Sequence, residues 1–365
     1  MIKKIISAPF KMLKQAIFSK DEKANISKDE EIEVNTTDDP SKEQSPPFQS
    51  QTKNKADVLV FDTKKRIFVV KKRCYAVAIY DFENYKIISK KENEEQRTIQ
   101  FKELLKGTCL PFSGNWFHAE QTDMGLYSTE TGAFYLHNNE KNTIQTINNN
   151  FHSKEHETVP ITGDWLGNGK KSIGIFNRTI STFFIKTTAK EDTEDIVFSF
   201  GSEEYDCIPL IGDWNGDGKD TIGLYLPKQG VFFLHNSLDK CLTADINFHF
   251  GPQNSKFIPL VGDWNGDGKD TIGLYDSEQG VFFLHNKNEG TDKIDYSFHF
   301  GPANKKMIPV VGDWKGKGKS GIGIYDPEKF TFYLRQNLSG GPAEIEIIFS
   351  KETEAYLPFI TSYIA

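Results

Sequence analysis

Five tryptophans recur at an almost constant interval along the last two thirds of the chain. They are Trp116, Trp165, Trp214, Trp264 and Trp314, so successive ones are 49, 49, 50 and 50 residues apart. A period of roughly 20 to 50 residues is typical of repeat architectures, in which each copy is one structural unit. This regularity excludes a helical enzyme, a doubly wound sheet and a chain of unrelated domains.

The copies match well beyond the tryptophan. Two of them, Ile208–Tyr225 and Ile258–Tyr275, differ at one position only, where Val261 replaces Ile211. Looser copies run over 159–176 and 308–325, and the most degraded copy runs over 110–127. The sequence therefore contains at least five copies of the same repeat.

Each period contains four short runs of apolar, β-branched and aromatic residues, separated by Gly, Asn and Asp. In one copy these runs are Ile258–Trp264, Thr271–Tyr275, Val281–His285 and Asp295–Phe300. Runs of about five residues with this composition and these boundaries predict β-strands. Four strands in each period of about 50 residues predict an all-β fold, a β-propeller with four-stranded blades.

The two ends of the propeller region predict how the ring closes. Residues 75–101 have the pattern of the second, third and fourth strands of a copy, and 357–365 that of a first strand alone. We expect the C-terminal strand to pair with this N-terminal blade, because pairing removes the exposed edges. A further hairpin pattern at 58–70 has the spacing of two blade strands, so six and seven blades both remain open.

The sequence divides into three regions. The propeller is predicted over 57–365, with repeats near 110–158, 159–207, 208–257, 258–307 and 308–356 and a shared blade formed by 75–109 with 357–365. Residues 21–56 carry nine acids against five lysines and few large apolar residues, which predicts a disordered linker. Residues 1–20 carry five lysines and no acid, with Phe10, Leu13 and Ile17 at helical spacing. This basic amphipathic segment is interpreted either as a membrane-surface contact or as a basic tail.

Composition excludes several classes of protein. The net charge of −7 gives no electrostatic case for nucleic-acid binding. No run reaches the roughly 18 to 20 apolar residues of a membrane-spanning helix. Four cysteines are too few for a disulfide scaffold in 365 residues. Cys109 and Cys207 occupy a slot that holds Phe257 or Met307 in other copies, which predicts a buried apolar side chain there.

The loop that contains the tryptophan could bind a metal ion. Counting from Asp213, oxygen-bearing side chains stand at positions 1, 3 and 5, namely Asp213, Asn215 and Asp217, and Gly218 follows at position 6. Calcium takes about six to eight oxygen ligands, and alternating side chains of a tight loop can point at one ion. The backbone carbonyl at position 7 would add another oxygen.

The segment Gly212–Tyr225, GDWNGDGKDTIGLY, resembles the FG-GAP/VCBS-like repeats of integrin α-chain propellers and of many bacterial surface or secreted proteins. The resemblance covers about residues 57–365 and implies a propeller with calcium in the loop between the first and second strands, one ion in each of two loops. The implied ligands are Asp213, Asn215, Asp217 and the Lys219 carbonyl, then Asp263, Asn265, Asp267 and the Lys269 carbonyl. In the integrin-type pattern position 9 is acidic, whereas here the acid stands at position 8, as Asp220 and Asp270.

Other copies have lost this pattern. Lys315 and Lys317 stand at positions 3 and 5 of the loop that begins at Asp313, which predicts a metal-free loop. Leu166 occupies position 3 of the loop that begins at Asp164. An alternative for all of the loops is that Asp and Asn form Asx-turns that shape a hairpin. For the two intact loops both interpretations remain open.

The histidines give no catalytic pattern. His137, His235 and His285 share a slot with Lys186 and Arg335, which is interpreted as a partly exposed blade position and not as a catalytic base. The recurring tryptophan is expected to pack within or between blades. No nucleophile elbow, His/Glu zinc pattern or P-loop is present, so we expect no catalytic residue and no cofactor site besides calcium.

A binding module fits these features better than an enzyme does. The copies differ by one residue in length, which leaves little chain for a catalytic loop. By resemblance, integrin-type propellers bind proteins, some fungal lectins bind sugars, and some polysaccharide lyases share this architecture. We therefore expect a non-enzymatic, calcium-associated propeller that recognises a protein or a glycan. The alternative is a carbohydrate-active enzyme, a polysaccharide lyase or hydrolase. The resemblance implies an extracellular or cell-surface location, although no cleavable signal is visible.

Overall fold

The computed structural model describes residues 58–62, 67–71, 76–81, 83–101, 105, 107–117, 122–148, 157–190, 195–201, 207–238, 243–290, 293–303, 307–350 and 356–361. Contacts divide the chain after residue 49, and all of these residues belong to the unit Ser50–Ala365. The predictions for 1–20 and 21–56 lie outside the described residues. The described residues form strands and turns, and among them no helix has the length and apolarity that crossing a membrane requires.

The strands are short and follow one another along the whole unit. They are β1 (Val58–Asp62), β2 (Ile67–Lys71), β3 (Ala76–Asp81), β4 (Lys86–Lys90), β5 (Arg97–Gln100), β6 (Cys109–Gly114), β7 (Asp123–Ser128), β8 (Phe134–Asn138), β9 (Thr143–Ile147), β10 (Thr158–Gly163), β11 (Ser172–Asn177), β12 (Thr182–Lys186), β13 (Asp195–Ser199), β14 (Ile208–Gly212), β15 (Thr221–Leu226), β16 (Val231–Leu234), β17 (Ile246–His249), β18 (Ile258–Gly262), β19 (Thr271–Asp276), β20 (Val281–Leu284), β21 (Tyr296–His299), β22 (Ile308–Gly312), β23 (Gly321–Asp326), β24 (Thr331–Arg335), β25 (Ile345–Ile348) and β26 (Tyr356–Thr361).

Six four-stranded antiparallel sheets form the blades of a β-propeller. Blade I has the order β26-β3-β4-β5, and blades II to VI are β6–β9, β10–β13, β14–β17, β18–β21 and β22–β25. The C-terminal strand β26 pairs with β3 from Tyr356↔Asp81 to Thr361↔Ala76, which confirms the predicted closure. Strands β1 and β2 form a separate two-stranded sheet, so the propeller has six blades and this hairpin is not part of a seventh.

The ring is closed by the innermost strands. The first strands of blades II to VI and I contact one another in the order β6, β10, β14, β18, β22 and β26, and β26 contacts β6 again. Each first strand lies at one end of its sheet, so its inner edge pairs with no strand of that sheet. Such an edge tolerates proline, which lacks an N–H group. This explains Pro259 and its counterparts, which stand at the second position of the first strand in blades IV to VI and at the third position in blades I to III.

The hydrophobic core lies between the blades. Six clusters of buried residues occupy the six junctions between neighbouring blades. At the junction of blades IV and V, Leu210 and Trp214 of one blade pack with Ile272 and Leu274 of the next. All five tryptophans are buried in this way, as the sequence predicted. Because every blade is buried on both faces, the second strand of blades II to VI is buried at each residue.

Two predicted details of the core are confirmed. Trp214 turns its indole inward and donates a hydrogen bond from Nε1 to the Ile222 carbonyl at 3.3 Å. Cys109 and Cys207 are both buried and neither forms a disulfide, as expected for a slot that takes a small apolar side chain. Burial raises the pKa of the Cys109 thiol to about 11. These cysteines are therefore part of the packing between blades.

Candidate functional site

The predicted calcium ligands lie in the loops that join the first and second strands of a blade. We call these loops III (164–171), IV (213–220), V (263–270) and VI (313–320) after their blades, and number their positions 1 to 8. The four loops follow equivalent strands, so they lie on the same face of the propeller. The first strand ends immediately before each loop, and its last residues bring position 1 to that face.

The aspartate at position 1 holds the loop together. In loop IV, Asp213 Oδ1 accepts the N–H groups of Gly216 at 2.7 Å and Asp217 at 3.1 Å, and its Oδ2 accepts that of Gly218 at 2.8 Å. The two glycines have φ angles of +78° and +84°, which glycine adopts most readily. Asp263 of loop V accepts the equivalent N–H groups at 2.7, 3.1 and 2.9 Å.

The side chains at positions 3 and 5 contact each other. Asn215 Oδ1 accepts the N–H of Asp217 at 3.0 Å, and its Nδ2 donates to Asp217 Oδ2 at 3.2 Å. Asp217 Oδ1 also accepts the N–H of Lys219 at 2.9 Å. The same contacts recur in loop V, where the hydrogen bond from Asn265 is the main cause that lowers the pKa of Asp267. The Asx-turns of the alternative interpretation are therefore present in both loops.

Loops without the calcium pattern fold in the same way at position 1. Asp313 of loop VI accepts the N–H of Lys317 at 2.8 Å and that of Gly318 at 2.7 Å. Asp164 of loop III accepts the two equivalent N–H groups at 3.0 and 2.6 Å. Position 1 therefore has a structural role in each loop, whatever the residues at positions 3 and 5.

Loop VI has an ion pair where loops IV and V have an asparagine. The ammonium group of Lys315, at position 3, pairs with Glu344 on the segment that precedes β25. Burial disfavours the ionised form of Glu344, but Lys315 and the N–H of Asn337 outweigh it and hold the pKa of Glu344 below its ordinary value. Lys317 at position 5 is exposed. Two ammonium groups therefore stand where a cation would need oxygen ligands.

The donor set of loops IV and V fits calcium chemically. Each loop offers two carboxylates, one amide oxygen and one backbone carbonyl, which are the hard oxygen ligands that calcium prefers. A carboxylate or amide oxygen that accepts one hydrogen bond keeps further lone-pair capacity. In the described part of the chain, no group of three or more His, Cys, Asp or Glu side chains could hold a metal ion. An ion in these loops would therefore depend on the amide and carbonyl oxygens as well.

The acid at position 8 reaches the preceding blade. The N–H of Asp213 in loop IV donates to Asp270 Oδ2 of loop V at 3.0 Å, and the N–H of Asp270 donates to the Asp213 carbonyl at 2.8 Å. Asp220 holds Asp164 of loop III through the same pair of contacts, at 2.8 and 3.0 Å. We call this reciprocal contact the inter-blade clasp. Sequence reasoning noticed the acid at position 8 but missed the clasp, because the partner lies one repeat away.

The position-8 side chains of successive blades also influence one another. Burial is the main cause that raises the pKa of Asp270 to about 7, and the negative charges of Asp220 and Asp213 raise it further. The hydrogen bond from Asp213 and the ammonium of Lys171 act in the opposite direction. Lys171 is position 8 of loop III, so residues of three consecutive blades interact electrostatically on this face.

The interpretation of the histidine slot as partly exposed is wrong for the three histidines. His137, His235 and His285 are 5%, 0% and 3% exposed. The cause is a contact across the blade junction, which a single repeat does not reveal: His285 stacks on Phe250 of the preceding blade with ring centroids 5.8 Å apart. Its Nδ1 lies 2.7 Å from Asp295 Oδ2 on the neighbouring segment of its own blade.

Comparisons with known proteins concern the fold. No protein-family model matches this chain, and no curated protein matches it. A similar solved structure is that of BBS1N in complex with ARL6DN, soaked with lead, with 8% identity, 78% of this chain and 86% of that chain covered, and a TM-score of 0.45. Another is the V. cholerae biofilm matrix protein Bap1, with 11% identity, 73% of this chain and 44% of that chain covered, and a TM-score of 0.30. The six-bladed architecture rests on the strand pairing given above.

Proposed function

We propose that this chain is a non-enzymatic binding module of the FG-GAP/VCBS-like type. In this proposal loops IV and V each bind one calcium ion, and the face that bears them recognises a protein or a glycan. The observation that carries the proposal is the pair of adjacent loops IV and V, which repeat the same eight residues and the same hydrogen bonds. In the proposed sites the ligands are the oxygens of positions 1, 3, 5 and 7 of each loop.

The loops form a continuous surface. A Cβ at Gly216 of loop IV would lie 2.9 Å from Lys269 Cγ of loop V, and one at Gly167 of loop III would lie 2.9 Å from Lys219 Cγ. Consecutive loops therefore touch, with position 4 of one against position 7 of the next. Positions 3, 5 and 7 of loops IV and V are exposed. A broad polar surface on a rigid ring suits recognition of a macromolecule.

The chemistry of this surface favours a protein over a glycan. Small-ligand sites are commonly lined by aromatic and apolar side chains with few polar groups. Here the tryptophans are buried between blades, while the loop surface presents amides, carboxylates and ammonium groups. Leu166 in loop III, 47% exposed, adds an aliphatic contact beside them. A mixed polar and aliphatic surface of this kind is typical of protein–protein interfaces.

Two buried histidine–aspartate pairs support the non-enzymatic part of the proposal. A general base must come within hydrogen-bonding distance of the proton that it removes. His235 and His285 pair with Asp245 and Asp295, but both histidines are buried between blades. We therefore assign these pairs to the packing of blades IV and V.

Calcium titration of the full-length chain by isothermal calorimetry tests the metal sites. We expect two ions per wild-type chain, one in Asp217→Ala and one in Asp267→Ala, because each variant removes one of the two carboxylates of its loop. Lys317→Ala in loop VI is the matched control and should leave two. A chain that binds no calcium would overturn this part of the proposal.

Partner recognition needs a separate experiment. The full-length chain is applied to a glycan array and to immobilised proteins of the same source, with calcium and with a chelator. We expect calcium-dependent binding that Asp217→Ala with Asp267→Ala weakens and Lys317→Ala does not. Turnover of a polysaccharide by the purified chain would contradict the non-enzymatic assignment and support a lyase or hydrolase.

A further inference from the structure

We infer that position 8 of each loop sets the calcium affinity of the loop in the preceding blade, so that loop IV, held by Asp270, binds calcium more tightly than loop V, held by Ser320. The inference rests on the proposed calcium sites and adds a positioning residue to each of them. It concerns residues that the calcium pattern of the sequence does not include.

Loops IV and V form a natural controlled comparison. Their eight residues are identical, and both carry the same hydrogen bonds around position 1. They differ in the residue that clasps position 1 from the next blade. The N–H of Asp213 donates to a carboxylate oxygen of Asp270 at 3.0 Å, whereas that of Asp263 donates to the hydroxyl oxygen of Ser320 at 3.1 Å.

The two clasps match in geometry and differ in charge. In both, the backbone N–H of position 8 donates to the carbonyl of position 1, at 2.8 Å for Asp270 and 2.6 Å for Ser320. Serine and aspartate therefore hold the loop in the same way. The carboxylate adds a negative charge next to the residue that would supply the first ligand, and the hydroxyl does not.

A nearby negative charge favours cation binding through the Coulomb interaction. Asp270 is not among the proposed ligands, and the ammonium of Lys171 offsets part of its charge. We therefore expect a modest effect, roughly threefold to tenfold in the dissociation constant, as for a charge several ångströms from the ion in a partly solvated site. Loop IV should be the tighter site by that factor.

The test measures each loop alone in the full-length chain. Asp267→Ala leaves loop IV as the competent site, and Asp217→Ala leaves loop V. Calcium affinity is measured by calorimetry at low salt and at about pH 8, where carboxylates are ordinarily ionised. We expect loop IV to bind roughly three- to tenfold more tightly than loop V. Adding Asp270→Ser to the Asp267→Ala protein should lower the calcium affinity of loop IV to that of loop V. Adding Ser320→Asp to the Asp217→Ala protein should raise the calcium affinity of loop V.

A merely structural clasp would give a different result. It would change the unfolding temperature of the Asp270→Ser protein and leave the ratio of the two affinities unchanged. Asp270→Asn, which keeps a hydrogen-bond acceptor without the charge, replaces Asp270→Ser if that variant does not fold and should have the same lowered affinity. Equal affinities of the two loops would overturn this inference alone. Calcium binding in neither loop would overturn the proposed sites and this inference together.

Discussion

Loops IV and VI occupy equivalent places in the propeller and differ in their chemistry. Both begin with an aspartate that accepts backbone N–H groups, and both have a buried tryptophan at position 2. Positions 3 and 5 are Asn215 and Asp217 in loop IV and lysines in loop VI. The comparison separates the residues that build the loop from those that are free to take on a function.

The first strand and the tryptophan at position 2 of the loop should be equally important in blades V and VI. Trp264→Ala in blade V and Trp314→Ala in blade VI each remove a fully buried indole from a blade junction. We expect each to lower the free energy of unfolding by about 3–5 kcal/mol. Urea unfolding followed by circular dichroism measures this loss. A loss confined to one blade would show that the two repeats are not equivalent scaffolds.

The aspartate at position 1 should also stabilise both loop IV and loop VI when no metal is bound. Asp213→Ala and Asp313→Ala leave backbone N–H groups of the loop without their acceptor. Solvent can replace part of what is lost, so we expect each to cost about 1–3 kcal/mol in calcium-free buffer, by the same unfolding measurement. A neutral result for either variant in calcium-free buffer would contradict a structural role of position 1 in that loop.

Loop VI should become a calcium site when its two lysines are replaced. Lys315→Asn with Lys317→Asp gives loop VI the residues of loop IV at positions 3 and 5. We expect one additional calcium ion per chain in a calorimetric titration. At a calcium concentration ten times the dissociation constant, the ion should add about 1.4 kcal/mol to stability. The single variant Lys317→Ala is the control, and an unchanged stoichiometry in the double variant would contradict the ligand assignment.

The ion pair of loop VI should give the smallest effect, one that disappears at acid pH. Because Lys315 lowers the pKa of Glu344, the pair contributes stability above the pKa of an unfolded glutamate, and this stability is lost as the pH falls through the lower pKa of the folded state. Lys315 is partly exposed, so we expect less than about 1 kcal/mol. Thermal unfolding of wild type and Lys315→Met between about pH 7 and about pH 3 should show curves that converge at the acid end. Parallel curves would contradict the role of the pair.

Much of the fold could be predicted from one repeat, because the period and the strand patterns are properties of consecutive residues. The closure by the C-terminal strand could also be predicted, because residues 357–365 have the pattern of a first strand and residues 75–101 that of the other three. The number of blades could not be predicted from the sequence, because the hairpin of β1 and β2 has the local pattern of two blade strands. It is distinguished from the blades only because it pairs with none of the described blade strands.

The site was predictable as far as it depends on single loops. The Asx-turns follow from the order of Asp, Asn and Gly within eight residues. The clasp and the burial of the histidines depend on contacts between repeats: Asp270 holds Asp213, and His285 stacks on Phe250. Sequence reasoning within one copy cannot show such contacts, because neighbouring blades meet only after the ring has closed.

A crystal structure of the full-length chain grown with calcium tests the central claim most directly. The account predicts one ion in each of loops IV and V, bound by oxygens of positions 1, 3, 5 and 7, and no ion in loop VI, where Lys315 and Lys317 stand. Loops IV and V without an ion at saturating calcium, or an ion bound in loop VI, would contradict it.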